Sequence, residues 1–285
     1  MTEPLLLAGR VVAITGAGRG IGRAHAIACA RAGAAGILVN DLGCDVEGLG
    51  TDPQVASTIA LELTDMGANA VADTNDVGAP AGPELIVRHG VDAFGRLDAV
   101  IGAAGIGGQS TILKLDDATL SRMLDVHVRG AFGLTRAAAR AMIELGNGGS
   151  ITLHAGPAAF FGAIRQSALA ATSAAVVGLV RSAAIELRKH RVRVNAIAPT
   201  ARTRATEALP LFKSIAEGSM GPEFVGPVGA FLASDLAADV SGEVVGVAGT
   251  RIYALHGRET PGWFGDGEPT EPRLIGNIWG DVSRS

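Results

Sequence analysis

A doubly wound α/β fold with a parallel sheet is the architecture this sequence predicts, and three observations predict it. Short β-branched runs alternate with longer alanine-rich stretches along most of the chain. A glycine-rich turn, Thr15-Gly16-Ala17-Gly18-Arg19-Gly20-Ile21-Gly22, lies between the first such run and the first helical stretch. The 285 residues give one domain an ample core, and abundant alanine and glycine with 4% aromatics suit close helix-on-sheet packing.

Taken in order, Val11–Thr15 reads as the first strand and Ile21–Ala32 as a helix closed by Gly33. Ile37–Asn40 is the second strand. Pro53–Met66 is a helix with Asp52 as N-cap and Gly67 as C-cap. Ala70–Asp73 is a strand, Pro83–Phe94 a helix and Ala99–Gly102 a strand. A long helical stretch spans Asp117–Leu145, followed by a strand at Ser150–His154 and a second long helix at Ser167–His190. Arg193–Ala196 is the sixth strand, residues 203–217 and 222–233 read as two helices, and Glu243–Val247 is the seventh strand. Strand–helix alternation implies right-handed crossovers and a parallel sheet. The domain is expected over residues 1–250. Residues 251–285 form a tail with glycines, prolines and both tryptophans, Trp263 and Trp279, whose aromatics argue for packing on the same domain or on a neighbouring subunit.

Composition narrows the function. A net charge of −4 gives no support for nucleic acid or an anionic membrane as partner. Cys29 and Cys44 lack metal-ligand spacing, no metal is expected, and both read as reduced residues of a cytoplasmic protein. The start, MTEPLLLAGR, does not read as a signal peptide, and no unbroken apolar run reaches the roughly 18 residues of a membrane span.

Gly16, Gly20 and Gly22 allow a tight turn and let a pyrophosphate approach a helix N-terminus, where free N–H groups and the dipole favour an anion. Asp41 ends the second strand, 19 residues past Gly22. A carboxylate there can accept hydrogen bonds from an adenosine ribose and repels a 2′-phosphate, so NAD is the expected cofactor rather than NADP. The alternative is a relic loop that no longer binds.

The chain resembles the short-chain dehydrogenase/reductase family over about residues 8–250. It is most similar to the branch that oxidises 3-hydroxyacyl-CoA esters, including the dehydrogenase parts of multifunctional β-oxidation enzymes. Three blocks carry this: Asn40-Asp41-Leu42-Gly43, Asp125-Val126-His127-Val128-Arg129-Gly130, and Val194-Asn195-Ala196-Ile197-Ala198-Pro199-Thr200-Ala201-Arg202-Thr203-Arg204. The resemblance implies a single-domain Rossmann fold. It places Arg19, Ile21, Leu42, Pro199 and the Asn75-Asp76-Val77 segment beside the cofactor. The family's Asn-Asn-Ala-Gly becomes Gly102-Ala103-Ala104-Gly105, which keeps the close approach and loses the amide side chains.

That family works through a serine and a Tyr-x-x-x-Lys pair. Phe161-Gly162 and Gln166 on one side and Gly178-Leu179 on the other fix the register without a gap. The serine falls on Gly156, the tyrosine on Leu169 and the lysine on Ser173. The phenol exchanges a proton with the reacting oxygen, the serine holds the oxyanion, and the lysine lowers the phenol pKa and grips the nicotinamide ribose. Leucine, glycine and serine do none of this. The one tyrosine is Tyr253, and the three lysines, Lys114, Lys189 and Lys213, lie outside the segment. His127 and His154 are the candidate replacements, with Ser173 or Arg165 beside them. The bland alternative makes His154 a strand-end cap and His127 a structural residue. Arg202 and Arg204 could meet a phosphate or carboxylate of a small-molecule ligand.

Three function classes stay open. The first is a non-catalytic subunit that forms homo-oligomers, or hetero-oligomers with an active paralogue, through the helices at 117–145 and 167–190, where Ala170, Ala171, Ala174 and Ala175 permit close approach. The second is an enzyme with altered chemistry in the same cleft, such as a lyase, hydratase or isomerase. The third is an unusual oxidoreductase using His127 or His154.

Overall fold

A computed structural model describes residues 5–216, 218–265 and 270–284. Through Ala254 the chain forms one compact unit, and Leu255–Ser285 forms a second. The first unit is an eight-stranded sheet in the order β3-β2-β1-β4-β5-β6-β7-β8. Its strands are β1 (Val11–Thr15), β2 (Gly36–Asn40), β3 (Ala70–Asp73), β4 (Ala99–Gly102), β5 (Gly149–His154), β6 (Val192–Thr200), β7 (Val244–Ala248) and β8 (Arg251–Ala254). All neighbours pair in parallel except β7 and β8. Strands β1 and β2 are buried end to end and β4 is buried through Ile101, which explains why they read as continuous apolar runs.

The helices are α1 (Gly20–Arg31), α2 (Pro53–Asp65), α3 (Gly82–Phe94), α4 (Asp117–Met123), α5 (Gly130–Glu144), α6 (Ala158–Phe161), α7 (Ser167–Leu187) and α8 (Gly226–Ala233). Helix α1 packs against α2 and α8, while α5 packs against α3 and α7. One core fills the space between α1, α2 and α8 and the sheet, with Ile14, Val39, Ile101, Ala26 and Ile59 at its centre. Asp52 caps α2 as expected, its side chain accepting from Gln54 N–H.

Four local expectations need correction. The long helix over 117–145 is interrupted by a π-helical turn at Leu124–Arg129. Over 203–217 the described residues hold turns and a short 3-10 helix at Pro210–Lys213, because Pro210 interrupts the backbone hydrogen bonding of an α-helix; residue 217 lies outside the described residues. An eighth strand closes the sheet, so the compact unit passes residue 250 and ends at Ala254. It packs the ring of Tyr253 where a Gly246 side chain would otherwise stand, with the Arg251 guanidinium 4.4 Å from the ring centroid. Finally, α9 (Pro272–Ser283) forms in a stretch that lacked a visible helical period. Gly276 and Gly280 mask it, although Leu274, Ile275, Ile278, Trp279 and Val282 keep helical spacing.

Residues Ser167–His190 are long and apolar enough to cross a membrane by length and composition, with a mean hydropathy of 1.7. Counting unbroken runs misses this. In the fold they are α7 and its 3-10 extension, and α7 packs on β5 and β6.

Candidate active site and nucleotide cleft

A cleft of about 270 Å³ opens above the carboxyl ends of β1 to β4. Gly16 sits at φ +64°, and a Cβ there would lie 2.7 Å from Ala104 Cα. A Cβ on Gly22 would lie 2.0 Å from Gly16 O. Both glycines are therefore demanded by close backbone approach. Helix α1 starts without a side-chain cap, which leaves its first N–H groups facing the cleft mouth as an anion site. The cleft is lined by Gly16, Arg19, Gly20, Gly22, Asp41, Leu42, Asp76, Val77, Ala103, Ala104 and Gly105, all of them expected. Two expected residues do not line it. Ile21 packs against the core around Ile197 and Val247, and Pro199 is held within β6 opposite Val247.

The carboxylate of Asp41 is fixed by two backbone donors. Gly18 N–H donates to Oδ2 at 2.9 Å and Gly43 N–H to Oδ1 at 2.7 Å. Each oxygen keeps a lone pair, so the group is held ready to accept from a ribose diol. Asn75 is oriented by the buried Asp73, which accepts from its N–H and its side-chain amide, from Asn40, and pairs with His89. Asp76 accepts from Gly78 N–H and from Arg122 at 3.0 Å. Arg122, Cys44 and Thr203 also line the cleft, and no local sequence signal marks them. Arg19 and Arg204 both donate to Cys44 O at 3.0 Å, which pins the loop after β2. Arg202 is occupied differently: it donates to Phe212 O and Ile215 O and closes its own loop.

Gly156, Leu169 and Ser173 converge. Gly156 N–H donates to Ser173 Oγ at 2.9 Å. A Cβ on Gly156 would lie 3.3 Å from Ser173 Oγ and 3.9 Å from Leu169 Cγ. Ser173 is buried. Lys189 lies 16 residues beyond it, about 24 Å along a helix axis at 1.5 Å per residue, so it does not serve this point.

The two candidate histidines border one small cavity of about 20 Å³ with Thr15 and Gly102, room for a single water. Neither ring is free. His127 lies in the π-helical turn, and its Nε2 meets Ile106 O at 3.0 Å and Ile106 N at 3.2 Å. Burial lowers its pKa, against the opposing hydrogen bond from Ile106. Side-chain alternation along a strand would put His154 on the side of Gly156, two residues on, but β5 ends at His154, whose ring turns to α1 while Gly156 faces α7. His154 Nε2 lies 3.1 Å from Nε2 of His25, a fully buried residue of α1. Nδ1 of His154 faces Gly102 O at 3.0 Å, and Nδ1 of His25 faces Gly226 O at 3.2 Å. Burial lowers both pKa values, to about 3 for His25, with His154 adding repulsion, and to about 4 for His154. Two neutral rings carry two protons, so two of these three contacts are hydrogen bonds at a time, and in each such arrangement His154 keeps at least one ring nitrogen engaged.

The residues that match the short chain dehydrogenase family model run from 10 to 210. The chain belongs to the short-chain dehydrogenase family. It is 37% identical over 228 residues to the mouse peroxisomal multifunctional enzyme type 2, covering 80% of this chain and 30% of that one, so it spans under a third of that relative. It is 33% identical over 257 residues to a hydroxyacyl-CoA dehydrogenase of Mycobacterium tuberculosis, covering 86% of this chain and 79% of that one. A short chain dehydrogenase structure from Mycobacterium avium superposes with a TM-score of 0.86 at 34% identity, over 97% of this chain and 95% of the other. A carveol dehydrogenase from the same species, solved in complex with NAD, gives 0.76 at 27% identity, over 85% and 96%.

Proposed function

We propose that this chain is an NAD-binding family member without dehydrogenase chemistry of its own, a subunit that supports an active dehydrogenase of acyl-CoA type. The carrying observation is the trio Gly156, Leu169 and Ser173. The three residues stand together, Gly156 N–H and Ser173 Oγ satisfy one another, and none of the three has an acid that can move a proton to a substrate oxygen at neutral pH. The chain's own residues near that point do not replace the phenol, since His154 is bonded to His25 and His127 to Ile106.

Nucleotide binding rests on the cleft. The glycine turn, the uncapped α1 N-terminus and the anchored Asp41 carboxylate fit an adenine dinucleotide with a free ribose 2′-hydroxyl. The NAD complex of the related carveol dehydrogenase supports the same reading. Bound NAD would supply hydride-accepting chemistry. This chain would supply a docking site for it and no acid or base.

Assembly rests on the outer face of two helices. Ala171, Ala174 and Gly178 are exposed along α7, and Leu124 and Phe132 are exposed on the helical stretch before and within α5. A small, apolar stripe of this kind suits a partner helix pair. The acyl-CoA assignment for the partner follows from the motif resemblance and the named relatives.

The test is purification of the tagged chain from its native host with mass spectrometry of whatever accompanies it. An intact Tyr-x-x-x-Lys paralogue in stoichiometric amount is the expected companion. A chain recovered alone and monomeric contradicts the subunit role.

A further inference from the structure

A second cavity lies far from the nucleotide cleft. It is an open groove of about 840 Å³ at the amino ends of β5 and β6, bordered by Gly149 and Val192. Five arginines line it: Arg10, Arg181, Arg188, Arg191 and Arg193. Asp235 and Asp239 are its only acids, an excess of three positive charges in a chain whose net charge is −4.

Neutralisation inside the protein is partial. Arg10 pairs with Asp235. Arg191 donates to Gly146 O at 2.8 Å, and Arg193 donates through Nη2 to Ser234 O at 3.0 Å. Arg193 Nη1 is buried without a partner, and Arg181 and Arg188 have no side-chain acceptor among the described residues. The dipole of α7 explains one cation, Arg188 at its C-terminus, and leaves the rest unexplained. Arg191 holds φ +58° as the left-handed cap of the 3-10 helix at Arg188–His190, its N–H donating to Arg188 O at 3.0 Å, so the helix end sets its backbone.

We propose that this groove binds a small, multiply phosphorylated anion. Guanidinium forks match phosphate oxygens in bidentate geometry, and several of them converging in one cavity favour more than one phosphate group. The volume is that of a small-molecule site. Its apolar lining is limited to short aliphatic groups such as Ala184, Ile185 and Ala238, with no aromatic ring to stack a base. Recognition therefore falls on the phosphates.

The experiment is calorimetric titration of the full chain with inorganic pyrophosphate and with ATP, at low and at moderate salt. It is repeated on the double variant Arg181→Gln/Arg188→Gln, whose positions are exposed and distant from the nucleotide cleft. Saturable pyrophosphate binding that weakens with salt and falls tenfold or more in the double variant supports the groove. Binding of ATP and pyrophosphate with similar affinity assigns recognition to the phosphates. Equal binding by wild type and double variant places the anion at the glycine turn and overturns the proposal. Absence of binding at millimolar pyrophosphate overturns it too, and a changed assembly state of the double variant by light scattering would then assign the groove to a protein contact.

Discussion

Ser173 Oγ accepts a hydrogen bond from Gly156 N–H at 2.9 Å, which ties together the two positions that the family resemblance gives to the lysine and the serine. The bond satisfies a backbone donor and a buried hydroxyl together. It also fixes what the site tolerates. A Cβ on Gly156 would press on Ser173 Oγ at 3.3 Å, and a lysine at 173 would leave Gly156 N–H without its acceptor.

Rebuilding the catalytic set should therefore fail piecemeal and succeed as a unit. Ser173→Lys alone is expected to destabilise the fold by about 1–3 kcal/mol through a lost acceptor and a buried charge, read from denaturant midpoints. Gly156→Ser/Leu169→Tyr/Ser173→Lys together should raise NAD-dependent oxidation of a 3-hydroxyacyl-CoA ester by about 100-fold or more over the unmodified chain. No gain from the triple variant, in a folded protein that still binds NAD, would show that these positions do not face the reacting carbon.

Cofactor choice should follow Asp41. The unmodified chain is expected to bind NAD(H) at least tenfold more tightly than NADP(H). Asp41→Ala should remove the preference and lower the melting temperature, because Gly18 and Gly43 both lose an acceptor. Fluorescence titration of the two reduced cofactors measures this. Tighter NADP(H) binding by the unmodified chain would refute the ribose argument.

The strands, the glycine turn and Asp41 at the end of β2 were legible in the sequence because each is a local pattern. Strand β1 is an apolar run before a glycine turn, and the spacing of Gly156, Leu169 and Ser173 matches their closeness in the structure. What stayed hidden depends on contacts far apart in the chain. His25 meets His154 across 129 residues, so nothing near either position marks the pair. Arg122 reaches the cleft only through Asp76, 46 residues earlier. The π-helical turn around His127 has no compositional signature, and β8 becomes a strand only because β7 offers it an edge. Residues 203–217 misled for the opposite reason: their local helical pattern is overridden by Pro210 and by the two carbonyl bonds of Arg202.

The helix faces make the assembly testable. Ala171 and Ala174 are exposed on α7, whereas Ala170 and Ala175 are half-buried. Ala171→Arg is expected to split the assembly while circular dichroism stays unchanged. Ala175→Glu should both weaken assembly and lower stability by about 1 kcal/mol. Light scattering at micromolar concentration distinguishes them. A monomeric unmodified chain would remove this surface from the account.

The histidine pair predicts acid sensitivity. Both folded-state pKa values lie below the ordinary 6.5, so the unfolded chain binds more protons between about 6.5 and 4. Stability is full above that window and falls as the pH drops through it. For His154 alone the loss is on the order of 3 kcal/mol, at about 1.4 kcal/mol per tenfold change in proton affinity. His25→Gln/His154→Gln should flatten the dependence of the melting temperature on pH between 7 and 4.5. An unchanged slope would mean that other groups carry the acid response.

The most direct measurement of the central claim is a steady-state assay of the purified chain with NAD and 3-hydroxyacyl-CoA esters, at neutral and alkaline pH. Calorimetry on the same sample should first show that NAD is bound. With Gly156, Leu169 and Ser173 in place of the catalytic set, turnover is expected at least 10³-fold below about 1 per second, the scale of an ordinary enzyme. A turnover near 1 per second that is lost in His127→Ala or His154→Ala would contradict the account and make this chain a dehydrogenase with a histidine acid.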